Sequence, residues 1–298
     1  MGIIATIANH KGGVGKSTLV YNLARYLLKY YPKILILDFD PQANTTWWFS
    51  EYADELKVKI NDVLKYGVTY DLQDDEHIGK FNTLVQYATA ETVKKNGSIS
   101  LIGSSLDLAS AKLELSKYDS IVYFKIIEII RKISEPYDLT IIDTPPSIEM
   151  LTSSAINASD YVLLPIQLDL LAIKGAMDIA QILIPTAHRY YNPNLKILGV
   201  IINLHRDTKA QRASKKTAAE AFGHYLFNTI ISRSEKIGQL ATTKGTIDKS
   251  KSDNQFALLA EEIHDRILED IKQRSEKGVQ SANTNKTRQN AGGKHNRV

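Results

Sequence analysis

The run Lys11-Gly12-Gly13-Val14-Gly15-Lys16-Ser17-Thr18 constrains this chain more than any other feature. It follows the apolar stretch Ile3 to Ala8 and leads straight into Ser17 to Tyr30, which is patterned as a helix. Closely spaced glycines let successive backbone N–H groups turn toward one centre, and the helix N-terminus adds partial positive charge there. A strand, glycine loop and helix in that order form a phosphate cradle. Lys16 is expected to bridge the β and γ phosphates of a nucleotide, Ser17 to ligate Mg²⁺ through its hydroxyl, and Thr18 to meet the α phosphate. The strict form of the motif has glycine where this chain has His10, which is read as structural.

Around this loop, apolar runs bounded by turn residues alternate with longer amphipathic stretches, the pattern of strand-helix-strand units on a parallel sheet. Strands are expected near Ile3 to Ala8, Ile34 to Leu37, Ile99 to Ile102, Leu139 to Ile142, Tyr161 to Pro165 and Ile197 to Asn203. Helices are expected at Leu106 to Ser116, Ile121 to Ile133 and Gln255 to Ile271, besides the one after the loop. The fold class is α/β, doubly wound, with helices on both faces of a mostly parallel sheet. Residues 1–271 are read as one domain, with 71–97 as a polar surface excursion. With 43% hydrophobic content in 298 residues, that domain can bury a full core. Zero cysteines exclude disulfides, Cys-ligated zinc, iron–sulfur clusters and thiol nucleophiles. No uninterrupted apolar run approaches the roughly 20 residues of a membrane span, so a cytoplasmic protein is expected.

Two acidic segments stand where a nucleotide chemistry would need them. Hydrolysis requires a water in line with the γ phosphate and neutralised charge around it. Leu37-Asp38-Phe39-Asp40-Pro41-Gln42 follows the second strand, and Ile141-Ile142-Asp143-Thr144-Pro145-Pro146 ends an apolar strand in an aspartate. Asp143 fits a carboxylate that holds Mg²⁺ through water, with the two prolines as a stiff exit. The loop K-G-G-x-G-K-S/T, with its second lysine Lys11, resembles the ParA/MinD/Soj family of deviant Walker-A ATPases, in its DNA-partitioning branch. That resemblance implies that Lys11 reaches across an ATP-sandwiched homodimer to the partner's phosphates. It implies that D-x-D-P-Q is a switch in which Asp40 positions the attacking water and Asp38 stands nearer the magnesium. It continues through Leu101 to Ser105, Asp107 to Ala109 and Pro165-Ile166-Gln167, and fades after about Ile271.

Charge bears on the partner. Residues 271–298 hold seven basic side chains against Glu276, a net +6 within a chain whose total is +4. They have almost no apolar residues, so 272–298 is expected to be a disordered basic tail. Between His205 and Lys251 there are ten Lys or Arg and four acidic residues, with Arg206, Lys209, Arg212, Lys215 and Lys216 tightly grouped. Such a cluster meets phosphate backbones without reading bases. In ParA-like proteins this region carries nonspecific DNA contacts, and Ile231-Ser232-Arg233 resembles the family's I-P-R, which adds Arg233. The implied partners are a second copy of the chain, nonspecific duplex DNA on the nucleoid and a centromere-binding ParB-like protein, with no membrane. A MinD-like spatial regulator would need an apolar face on its terminal segment, and a metabolic P-loop ligase would need a substrate motif that is not found. Trp47 and Trp48 are read as packing residues on a short helix.

Overall fold

The computed structural model describes residues 2–49, 56–94, 96–117, 121–234 and 251–292, with side chains in the last helix described for 254–276. Each expected apolar run forms a strand: β1 Ile3–Ile7, β2 Lys33–Asp38, β4 Gly97–Ile102, β5 Leu139–Asp143, β6 Tyr161–Ile166 and β7 Lys196–Ile202. A seventh, β3 Thr89–Lys94, is added at one edge, and the order across the sheet is β3-β4-β2-β5-β1-β6-β7. All pairs are parallel except β3 with β4. The inner strands are buried along nearly their whole length, as strands covered on both faces must be.

The covering helices are α1 Lys16–Leu27, α2 Asn44–Phe49, α3 Ile60–Thr69, α4 Asp75–Ala88, α5 Asp107–Leu115, α6 Ile121–Ser134, α7 Met150–Ala158, α8 Leu170–Asp178, α9 Ile184–Tyr190, α10 Lys209–Phe222 and α11 Lys251–Gly292. One core cluster joins α1 and α11 to one face of the sheet, and a second joins α3 to α7 to the other. The register pairs Ile7 with Asp143 and Asp38 with Asp143. The carboxyl ends of β2, β5 and β1 therefore lie level, with β5 in the middle and the glycine loop leaving from β1. That is the topological position where open α/β sheets bind ligands.

Two expectations change. Within 71–97 the chain forms α4 and β3, and α4 is capped by Asp74, whose side chain accepts from the N–H groups of Glu76 and His77. Its polar composition misled because α4 buries only Phe81 and Ala88, while β3 lies at the sheet edge. The boundary at Ile271 is also passed, since α11 runs on to Gly292. Lys272, Gln273, Arg274 and Glu276 are good helix formers. Arg274 pairs with Asp270 at 2.7 Å and donates to the Asn194 carbonyl at 3.2 Å. Residues 293–298 of the expected tail lie outside the described residues. Among the described residues, the continuous helical run Leu170–Tyr190 is long and apolar enough to cross a membrane by length and composition, though Lys174 and Asp178 interrupt its apolar sequence. It packs Ala172, Ile173, Ala176, Ile179, Ile184 and Ala187 into the core around β6 and β7.

Helix α11 ties the α1 face to the end of the sheet. Phe256 is fully buried there, and Arg266 donates to the carbonyls of Leu198, Tyr225 and Leu226 while lying 4.0 Å from the Phe227 ring. Phe256→Ala is expected to destabilise the fold by about 3–5 kcal/mol. Urea denaturation checks this, and a loss under about 1 kcal/mol would mean that α11 is not part of the cooperative core.

Candidate active site

The glycine loop is held from outside by side-chain amides. Asn203, just past β7, donates to the Val14 carbonyl at 2.8 Å, and Gln167, just past β6, donates to the Gly13 carbonyl at 2.6 Å. Asn9 accepts the Lys11 N–H at 3.0 Å and donates to the Pro165 and Ala172 carbonyls. With carbonyls drawn outward, the first N–H groups of α1 are left for a ligand, as a helix start leaves them. Gly15 stands at φ 85° as the N-cap of α1, and a Cβ there would lie 2.4 Å from the Asn203 amide nitrogen. Both its backbone angle and its space demand glycine.

This loop opens on a cavity of about 380 Å³, lined by Gly12, Gly13, Gly15, Lys16, Ser17, Thr18, Asp40, Gln42, Asn44, Trp48, Pro146 and Leu204. A larger cleft of about 720 Å³ lies at the opposite ends of the strands, around Lys33, Ser98 and Tyr137, away from every motif. Lys16 is buried and donates to the Asn9 carbonyl at 3.0 Å, so its ammonium folds back over the loop. Burial holds its pKa below the ordinary lysine value, against the opposing pull of the Asp143 and Asp40 charges.

The acidic residues differ in what they offer. Asp143 is wholly buried; Thr45 donates to its Oδ2 at 2.6 Å, while Oδ1 has no hydrogen-bond partner. A buried, unpaired carboxylate oxygen near Ser17 and Lys16 is a fitting acceptor for a magnesium-bound water, since Mg²⁺ keeps several waters and needs few protein ligands. Among the described residues no cluster of three His, Asp or Glu side chains could hold a metal alone, which suits an ion carried by nucleotide phosphates. Asp40 faces the cavity and takes the Gln42 N–H at 2.9 Å. Asp38 is different from its expected place. It lines no part of the cavity, and both its oxygens are occupied, Oδ1 by the Asp40 N–H and Oδ2 by the N–H and hydroxyl of Thr46. Burial raises the pKa of Asp38 and of Asp143, and the Asp143 charge raises Asp38 further.

Lys11 does not point away from its own chain. Its Nζ lies 2.6 Å from Asp169, the N-cap of α8. His10 sits 3.9 Å from Asp178 on the same helix, outside the cavity. Trp48 packs edge-on against Tyr21 with ring centres 5.5 Å apart, as a packing residue would, and it also walls the cavity. Among the described residues, two non-glycine residues have positive φ, Ala43 at 52° and Leu204 at 54°. Ala43 sits between two cavity residues and Leu204 is itself one, so backbone strain gathers at the site.

Arg206, Lys209, Arg212, Lys215, Lys216 and Arg233, beyond β7, are each exposed. The Arg233 N–H donates to the His205 carbonyl and the His205 N–H to the Ile231 carbonyl, both at 2.9 Å, which brings Arg206 and Arg233 side by side. Lys209, Arg212, Lys215 and Lys216 follow on α10, where Arg212 is held by Asp207 through two bonds of 2.7 Å. Ser232 uses the N–H that a proline would lack, donating to Gln255 at 3.0 Å and accepting from it at 3.1 Å. The site residues that sequence reasoning missed are Asn9, Asn203, Asp169, Thr45 and Thr46. Only Asp169 carried a local signal, as a helix cap before Leu170.

The fold and cavity define a P-loop nucleotide hydrolase. The AAA domain family model matches residues 1–197. The chromosome-partitioning ATPase Soj of Treponema pallidum is 31% identical over 247 residues, covering 80% of this chain and 86% of that protein. Soj of Thermus thermophilus is 29% identical over 269 residues, 88% of this chain and 96% of that one. A crystal structure of cobyrinic acid a,c-diamide synthase from Mycobacterium smegmatis with ADP and magnesium aligns with a TM-score of 0.68 at 25% identity, covering 88% and 93%. This chain belongs to the ParA/Soj-type P-loop ATPases of the ParA/MinD superfamily, and is an ATP-hydrolysing enzyme.

The raised carboxyl groups fix a pH dependence. The unfolded chain releases those protons near the ordinary 3.8, while the folded chain keeps them to higher pH. The folded state then binds more protons, and stability falls as pH rises through that interval. Carboxylates with lowered values, such as Asp74 and Asp207, act only below the ordinary range. Nucleotide-free protein is expected to be less stable to urea at about pH 8 than at about pH 5.5. Stability rising over that interval would show both carboxylates ionised and satisfied.

Proposed function

We propose that this chain is a DNA-partition switch: two copies close on ATP, the pair holds nonspecific duplex DNA, and hydrolysis releases it. The observation that carries this is the continuity of β7 with both sites. Asn203 and Leu204, at its end, clamp the glycine loop and wall the cavity, and the next residues, His205 and Arg206, begin the exposed basic surface. A change at the nucleotide is thus one or two residues from the cations of Arg206 and Arg233.

In this mechanism the loop N–H groups, Lys16 and Thr18 hold the phosphates, and Ser17 with Asp143 would hold magnesium. When bound, magnesium neutralises charge developing on the phosphate oxygens. Asp40 orients the attacking water, and Asp38 supports the Asp40 loop through its internal bonds rather than meeting the metal. Lys11 leaves Asp169 for the partner's phosphates as two copies close. Their side chains are 28% and 37% exposed, and pairs so exposed are worth about 0.2–1 kcal/mol, so the nucleotide's several negative charges outcompete Asp169. Leu170 and Leu171, 69% and 68% exposed beside Asp169, give the closing face apolar area to bury.

Doubling the basic patch multiplies phosphate contacts and steepens the salt dependence. A nucleoid location and a ParB-like partner that stimulates slow hydrolysis are supported by the partitioning role of the Soj relatives. Gel shifts of nonspecific duplex DNA with no nucleotide, ADP and ATP, at two salt concentrations, are expected to show binding with ATP alone, weakened by salt. Reversing charge at Arg206, Lys215 and Arg233 is expected to weaken that binding and leave nucleotide affinity unchanged. If no nucleotide state binds DNA, the switch is wrong while the ATPase assignment stands, and a small-molecule or protein substrate is to be sought. Lys16→Ala is expected to lose nucleotide binding. Asp40→Ala is expected to keep ATP and DNA binding while turnover falls by about 10²-fold or more. Normal turnover in Asp40→Ala would assign the water to another group.

A further inference from the structure

Helix α2 has six residues and three separate attachments. Asn44 and Trp48, one turn apart, line the nucleotide cavity. Thr45 reaches β5, where its hydroxyl donates to Asp143 Oδ2 at 2.6 Å. Thr46 reaches β2, donating to Asp38 Oδ2 at 2.7 Å, and accepts the Ser104 N–H from beyond β4 at 2.8 Å. Helical threonines commonly turn the hydroxyl back to the carbonyl one turn earlier. Thr69, Thr83 and Thr186 do so here, bonding Lys65, Gly79 and Ile182. Thr45 and Thr46 spend their hydroxyls on buried carboxylates instead.

The Thr45 bond has a directional consequence. A carboxylate can present either oxygen, and this bond occupies Oδ2 and leaves Oδ1 as the buried oxygen without a partner. Thr45 is itself fully buried, so no water can take over the donation. We propose that Thr45 is a positioning residue that sets which oxygen of Asp143 faces the magnesium position, and through α2 links that orientation to Asn44 and Trp48 at the nucleotide. It rests on the ATPase assignment and names a residue outside the three sequence motifs. Partners that orient a metal's ligands typically change metal affinity by about 10–100-fold when removed.

Calorimetric titration of ADP over a magnesium series, with an EDTA control, separates orientation from general damage. Thr45→Val keeps the shape and removes the donor; Thr45→Ser keeps the donor. The valine variant is expected to need about 10-fold or more magnesium for half-maximal enhancement of ADP binding, with ADP affinity in EDTA unchanged. The serine variant is expected to match the parent. A valine variant with the parent's magnesium requirement overturns the proposal, as does an equal loss of ADP affinity in EDTA, which would make Thr45 a packing residue. Thr45→Ala gives the same comparison if the valine variant melts below the assay temperature. If the parent protein itself binds ADP without regard to magnesium, the assignment of Asp143 to the metal fails with it, and that outcome is told apart by needing no variant.

Discussion

Two aspartates buried side by side are the constraint from which the rest of this site follows. The parallel register of β2 and β5 sets Asp38 opposite Asp143, and both are fully removed from water. A buried carboxylate needs donors or a proton, because its charge is otherwise strongly disfavoured. The chain meets this with one short helix and one loop. Thr45, Thr46 and the Asp40 N–H bring donors to the pair, and the Lys16 charge lies close enough to pull Asp143 back toward ionisation. Asp40 is placed by this same arrangement, since its N–H is tied to Asp38 while its side chain faces the cavity. The Asp40 loop is therefore anchored at the carboxylate least available for chemistry.

The glycine loop is backed from outside the cavity by amides. Asn9, Gln167 and Asn203 stand at the ends of β1, β6 and β7 and bind the glycine loop or its flank. The bonds tie the loop to the sheet, so it is preorganised and its N–H groups do not need to be reoriented when phosphate arrives. Ala43 and Leu204 hold positive φ angles that L residues adopt only under constraint. They lie on the two segments that a nucleotide must join, the switch loop and the end of β7.

The sheet was legible because buried parallel strands are written as continuous apolar runs. The nucleotide loop was legible because its function depends on backbone, and so on glycine at fixed spacing. What escaped has a common cause. Strand β3 is half exposed at the edge and mixes Glu91 and Lys94 with Thr and Val, so it carries no apolar run. Helix α4 hides its N-cap in a polar stretch. The Asn203 to Val14 bond spans 189 residues and the Thr45 to Asp143 bond spans 98, and no window along the chain contains both ends. Asp38 was placed near magnesium by resemblance to the D-x-D-P-Q switch. The motif does not show that β2 ends at Asp38, so that this side chain stays inside on Thr46 while Asp40, two residues on and beyond the strand, reaches the cavity.

Lys11 illustrates how a site of this kind can rest in one state and work in another. In a single chain its ammonium has a partner in Asp169, on the helix that begins after β6, and that helix start also presents Leu170 and Leu171 to solvent. Cation, carboxylate and apolar residues share one exposed surface beside the glycine loop. A second copy arriving at that surface would bury the leucines and exclude water from the pair. Desolvation penalises an ion pair that gains nothing new. The same desolvation strengthens attraction to a polyphosphate, whose charge exceeds that of one carboxylate. Under the proposed dimerisation, the approach that covers the leucines would also be the one that shifts Lys11 from Asp169 toward nucleotide, so that dimer closure and transfer of the lysine would be physically a single event.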